Sequence, residues 1–221
     1  MQDFTFYFQL GIEHILTPDA LDHILFVTAL CLRYLWKDWE KVVVLVTAFT
    51  IGHSLTLALS ALNYIHINAK WIEFFIPLTI AATCVNNMFQ HNTEQKKRVK
   101  RVSRVPLIYF FALFFGLIHG LAFAGQFLSL EGKEGLIAHL LAFNVGIEAA
   151  QLLIVLMVLL LSFLVVQLLK LSRMVWLQSA SALILIISLF WAYKRFPYHK
   201  NYNDESEKTV LVFGLGGSGS V

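Results

Sequence analysis

Long apolar runs separated by short polar ones organise this chain. Six stretches have the length and apolarity that a helix needs to cross a hydrocarbon core of about 30 Å. They are roughly 20–36, 41–64, 70–91, 105–129, 136–169 and 174–194. Residues 1–16, MQDFTFYFQLGIEHIL, are apolar but too short to span, and predict a short interfacial or half-inserted helix leading into the first span. Pro18 and Asp19 punctuate that junction, because the residue before a proline avoids helix. The fifth stretch is longer than a bilayer needs, so it is expected to tilt or to extend beyond it. The pattern predicts an all-α polytopic membrane helix bundle. It places about six transmembrane helices in a single transmembrane domain over residues 1–195, with a tail over 196–221.

Composition narrows the class. Of 221 residues, 58% are hydrophobic and only 14% are charged, against about 25% charged in soluble domains. That ratio excludes a water-soluble fold, a disordered chain, a nucleic-acid-binding tail and a disulfide scaffold. Cys31 and Cys84 lie inside apolar stretches and read as small buried side chains without a disulfide. No basic leader with a short apolar core and a small-residue cleavage site opens the chain, so no cleavable signal peptide is expected. The Gly/Ser-rich end, LVFGLGGSGSV (211–221), carries no functional signal and can be an expression remnant.

The net charge is +3, but its placement says more than its sign. Eleven Lys and Arg residues fall in the loops after the first, third and fifth stretches, among them the basic run over 92–104. The two opposite loops hold Lys70 and Lys133. Basic loops stay cytoplasmic, so the N-terminus is expected outside in a multi-pass protein. Lys194, Arg195, Lys200 and Lys208 run against this, partly offset by Asp204, Glu205 and Glu207.

An ionisable side chain at the middle of a membrane helix costs on the order of 2.5–3.5 kcal/mol. Such residues persist where they pair, bind something or line water. The exceptions here are Glu13, His14, Asp19, Asp22 and His23 around the first span, and His53 in the second. Glu73, Asn86 and Asn87 follow in the third, His119 in the fourth, and His139, Asn144, Glu148 and Gln151 in the fifth. At 1.5 Å per residue, His53 lies about 18 Å into its span and His119 about 20 Å. On the inward-running fifth span, Asn144 and Glu148 lie about 14 and 20 Å deep. These are compatible levels on different helices. Asn144 and Glu148 share a face at i and i+4, with Gln151 following. Glycines flank His53 and His119 and could bring helices close.

Several imidazoles and carboxylates at one depth suit a divalent transition metal, nickel, cobalt or zinc. The candidate ligands are His14, Asp22, His23, His53, His119 and Glu148, with Ser54, Asn144 and Gln151 as supporting hydrogen-bond partners. Cysteine is absent from the set, which argues against a finger-type zinc site. Blander readings stand beside this one. Asp22 and His23 could pin the entrance of the first span, and His53 or His119 could be core histidines bonded to neighbours. His14 could be an outer ligand or an interfacial side chain. Glu73 beside Trp71 reads as an interfacial carboxylate, and Asn86 and Asn87 as helix–helix hydrogen bonders. His66, His91, His139 and His199 are assigned no role.

Four strings taken together resemble one family. GIEHILTPDALDHILFVTAL (11–30), FTIGHSLTLALS (49–60), FGLIHGLAFA (115–124) and FNVGIEAAQL (143–152) are similar to the HupE/UreJ hydrogenase/urease accessory membrane proteins. The resemblance implies a nickel or cobalt permease of a bacterial inner (cytoplasmic) membrane that feeds metalloenzyme assembly. It implies metal-handling roles for His14, Asp22, His23, His53, His119 and Glu148. The nickel permeases carry a His-rich first-span motif, whereas here eight residues including Pro18 separate His14 from His23.

Two functions follow as expectations. The first is a permease for a divalent transition-metal ion. The alternative is an intramembrane zinc-dependent hydrolase or transferase acting on a lipid or membrane-embedded substrate from the outer leaflet. Glu148 or Asp22 would then be the general base. Membrane lipids and the metal ion are the expected partners, nucleic acid is not, and a homo-oligomer is left open.

Overall fold

The computed structural model describes residues 2–62, 64–65, 67–89, 107–130 and 135–197. His66, His91, His199, Lys133, the basic run over 92–104 and the tail beyond residue 197 lie outside the described residues. The described chain forms helices α1 (Gln2–Leu16), α2 (Leu21–Cys31), α3 (Trp39–Ala61), α4 (Ala69–Phe89), α5 (Leu107–Leu130), α6 (Leu136–Phe163) and α7 (Arg173–Lys194), and no strand.

Among the described residues, four segments are long and apolar enough to cross a membrane: Trp36–Ala61, Ala69–Phe89, Leu136–Leu168 and Arg173–Lys194. They correspond to the second, third, fifth and sixth expected spans. The expected fourth span is the continuous 24-residue helix α5. Helix α6 has 28 residues, about 42 Å at the usual rise, in line with an element longer than a bilayer.

The first expected span is the departure. Instead of a helix over 20–36, the chain makes the 11-residue α2, about 16 Å long and roughly half a hydrocarbon core. Its start is set by a single tight turn over Pro18–Ala20, where proline fits because the first position of a helical turn needs no N–H. Beyond Cys31 the backbone leaves the helix, and the next turn begins at Trp36. There the Asp38 carboxylate accepts from the Leu35 N–H at 3.4 Å and from Lys41 Nζ at 2.6 Å. Helices α1 and α2 are thus two short pieces joined at a proline break.

Close packing is set by small residues. Helices α3 and α5 run side by side in the same direction. A Cβ on Gly52 would collide with the Leu113 carbonyl, one on Gly116 with that of Phe49, and one on Gly120 with that of His53. The α1–α6 contact repeats the device, with Gly11 against the Phe143 carbonyl and Gly146 against that of Phe8. Without a hydrophobic driving force in lipid, such backbone-level contact supplies the attraction between helices. Helix α4 pairs with α7, and the start of one meets the end of the other where Phe74 contacts Phe196 at 5.3 Å.

Helix α2 sits between two apolar clusters. Val27 and Cys31 join one with Val46, Phe143 and Ile147, while Phe26 and Leu30 join the other with Phe49, Ile80 and Ile184. The outward positions are apolar as well, among them Val44, Ile51, Leu55, Leu141, Met157, Ile186 and Phe190. A bundle apolar on both its inner and outer faces matches a lipid surround. Both cysteines are buried and unpaired.

Candidate metal centre

Four histidines from four helices meet at the α1–α2 break. His14 lies in the last turn of α1 and His23 in the first turns of α2, on either side of Pro18. His53 and His119 come from the middle of α3 and α5, which the glycine contacts hold together. One ring nitrogen from each of His14, His23 and His53 lies within 4.8 Å of the others. The His119 ring is 5.1 Å from that of His23, and the His14 ring is 4.9 Å from it.

Hydrogen bonding shows what these rings lack. His119 Nδ1 is 2.8 Å from the Phe115 carbonyl oxygen. A carbonyl only accepts, so Nδ1 carries the proton and Nε2 keeps its lone pair. That Nε2, the Nε2 of His14 and both ring nitrogens of His23 and of His53 are buried without a hydrogen-bond partner. His53 is fully buried, and His23 and His119 nearly so. A buried polar atom left unsatisfied costs about 1–3 kcal/mol and is uncommon in folded proteins. Six such nitrogens in one place, several free as lone-pair donors, fit a bound transition-metal ion. A tetrahedral ion with bonds of about 2.0–2.1 Å needs nitrogens roughly 3.3 Å apart. Modest ring rotation covers the difference.

A layer of phenylalanines lies one helical turn away on one side, while Phe123 and Phe143 pack on the His14 ring at 4.0 and 5.6 Å. Phe26 follows His23 by three residues, and Phe49 and Phe115 precede His53 and His119 by four. The Phe26 ring packs 5.0 Å from Phe49 and 5.6 Å from Phe115. Phe26 and Phe49 also contact the His119 ring, at 5.4 and 5.0 Å. The paired contacts His23–His53 and Phe26–Phe49 mean that α2 runs opposite to α3. A sheet of imidazoles therefore rests on a sheet of phenyl rings. The repeated F-x3-H in α3 and α5 was a legible signal for this layer and was not among the expectations.

On its other side the cluster opens into a cavity of about 550 Å³ lined by Glu13, His14, Asp22, His23, Glu73, His119 and Arg195, among others. Asp22 does not join the imidazoles. Its Oδ2 pairs with Arg195 Nη1 at 2.5 Å, and that guanidinium also lies 4.5 Å from the Trp191 ring centre. Glu73 is exposed at the cavity's rim.

The remaining expected residues lie elsewhere. Glu148 accepts the Thr47 hydroxyl at 2.5 Å. With Asn144 and Ser54 it lines a separate groove of about 520 Å³ between α3 and α6. Asn144 and Glu148 share the face that their spacing required. Gln151 is fully buried and accepts the Thr50 hydroxyl at 2.8 Å, while Ser54 donates to the Thr50 carbonyl of its own helix. None of these four is bonded to an imidazole. His139 stacks on Tyr7 at 4.2 Å. Asn87 bonds between helices, donating to the Ala29 carbonyl at 2.7 Å.

Residues 1–195, which hold the imidazole cluster and both cavities, match the family described as HupE / UreJ protein. No curated protein and no solved structure matches the chain.

Proposed function

Because the chain belongs to the HupE/UreJ family, we propose that it is a membrane permease for a divalent transition-metal ion, held in transit by His14, His23 and His53 with His119 beside them. One observation carries this reading: unsatisfied imidazole nitrogens converge at a broken helix. Discontinuous helices form the substrate sites of many transporters, because the break exposes ligands and lets the two pieces move separately. The acidic residues around the cavity, Glu13, Asp22 and Glu73, outnumber Arg195 and raise the local concentration of cations. Neutral imidazoles then select nickel, cobalt or zinc over magnesium and calcium, which prefer oxygen. Release on the opposite side requires the Phe26–Phe49–Phe115 layer to part. The orientation expected from the basic loops puts the cavity on the outer face of a bacterial inner membrane.

That phenyl layer is also the observation that favours a second reading, an intramembrane metal-dependent hydrolase or transferase. A site closed beneath and open above keeps a coordination position for water on the cavity side. Bound metal would supply a water of lowered pKa, and Asp22, which lines the same cavity, would be its general base. Glu148 lines the other cavity and is less suited to that role.

Proteoliposomes loaded with a metal indicator test the choice. Uptake of zinc or nickel above that of empty vesicles, lost in His53→Ala, is the expected result. Background uptake by protein that retains one ion per chain would transfer support to the second reading. Purified protein that binds no transition metal would sink both.

A further inference from the structure

Two carboxylates are adjacent in sequence to an imidazole of the cluster, Glu13 beside His14 and Asp22 beside His23, and the structure engages Asp22 elsewhere. It is 8% exposed, and its partner Arg195 arrives from 173 residues away at the end of α7. Arg195 lines the same cavity as His14, His23 and His119. The same guanidinium also lies over the face of Trp191, one turn back on its own helix. The negative end of the α7 dipole favours a cation there too.

We propose that Arg195 is the gate of the metal site: its ion pair with Asp22 withholds the carboxylate from an incoming cation, and binding of the ion releases it. This rests on the permease reading above, or equally on any reading in which the imidazoles hold a metal. A bare dication among neutral rings keeps both its charges, so a nearby carboxylate is drawn to it. The guanidinium competes for that carboxylate and repels the ion. Metal binding and the ion pair therefore oppose each other, and by linkage each weakens the other by the same factor. On release the guanidinium keeps its contact with the Trp191 ring. A gate of this kind makes occupancy depend on a helix, α7, that supplies no ligand. It couples loading of the site to movement of α7, together with the paired α4, against α2.

Competition against a chromophoric chelator, with zinc as the probe, measures affinity in full-length protein in detergent. Arg195→Gln is expected to bind zinc on the order of tenfold more tightly than wild type, within the usual range of coupling between sites. Arg195→Lys should lie between them. In an Asp22→Asn background, Arg195→Gln should change affinity less than threefold, because the carboxylate it would liberate is gone. A purely structural tie predicts something else: a lower unfolding temperature for Arg195→Gln with unchanged or weaker binding. That result, or an equal gain in the presence and absence of the Asp22 carboxylate, overturns the gate while leaving the metal site intact. Wild-type protein that binds no zinc, nickel or cobalt removes the permease reading itself.

Discussion

The imidazole cluster and the α3–α6 groove lie on opposite flanks of α3, and both gather polar side chains inside an apolar bundle. They solve the cost of burial differently. In the groove, hydroxyls answer the polar groups: Thr47 serves Glu148 and Thr50 serves Gln151. What is left over is scattered, one oxygen of Asn144 and the amide nitrogen of Gln151. In the cluster, no side chain of the bundle answers the rings, and the leftover atoms are all imidazole nitrogens, one from each of His14, His23 and His53 lying within 4.8 Å of the others. Polar groups satisfied across a helix pair read as glue. Polar groups left unsatisfied together read as a site that awaits a ligand.

The sharpest way to break that contrast is to remove one group from each side and measure metal affinity. Loss of an outer partner of a metal ligand typically costs 10–100-fold, so loss of a ligand itself should cost more. His53→Ala and His23→Ala are expected to weaken zinc binding by more than about 100-fold in chelator competition. Glu148→Gln should change it by less than about threefold. A large loss from Glu148→Gln would merge the two regions into one site, as the depth argument from the sequence had them. Stripping the ion from wild type should lower the unfolding temperature, since a ligand at 100 times its Kd adds about 2.7 kcal/mol to the folded state. His53→Ala should show no such response.

Depth along each helix was legible in the sequence. Rise per residue places His53, His119 and Glu148 at compatible levels, and levels are what a sequence offers. Azimuth around α3 is not available from one chain: His53 faces α2 and α5, whereas Thr47 faces α6. Three of the four motif strings lie on the helices that carry the imidazoles, the fourth lies on α6, and the proline break flagged the junction between His14 and His23. The length of α2 was not legible, because Leu32 and Leu35 continue the apolar run after the backbone has left the helix. Nor was the partner of Asp22. Arg195 registered only as a basic residue on the side where the loop charges did not want it, and in the structure a local carboxylate accounts for that exception.

The next effect in size concerns the backbone frame that carries the cluster. Gly116 and Gly120 sit against the carbonyls of Phe49 and His53, and at 116 a methyl group meets only backbone atoms. Gly116→Ala should force α5 away from α3 and cost about 1–3 kcal/mol, the usual penalty of overpacking, read as a drop in unfolding temperature. It should also weaken metal binding, because His53 and His119 separate. Glycine replacement at 146, where α1 meets α6, should destabilise similarly but act on His14 alone. Equal stability with intact binding in Gly116→Ala would show that the α3–α5 contact is not what sets the ring spacing.

The smallest effects test whether the groove is only glue. Thr47→Val removes the donor to Glu148 and leaves a half-buried carboxylate without that bond. The loss should be about 0.6 kcal/mol and no more than about 1.7, the average and the maximum for interhelical hydrogen bonds in a membrane protein, with unchanged metal stoichiometry. Asn87→Leu, which removes the bond to the Ala29 carbonyl, should cost still less. One oxygen of Asn87 is itself buried without a partner, so the apolar replacement recovers part of what it loses. The two variants differ in what they can reach. Thr47 belongs to the flank of α3 turned away from the rings, while Asn87 holds the far end of α2, the helix that carries His23. A change in zinc affinity in Asn87→Leu but not in Thr47→Val would show that the position of α2, more than the α3–α6 seam, sets the metal site.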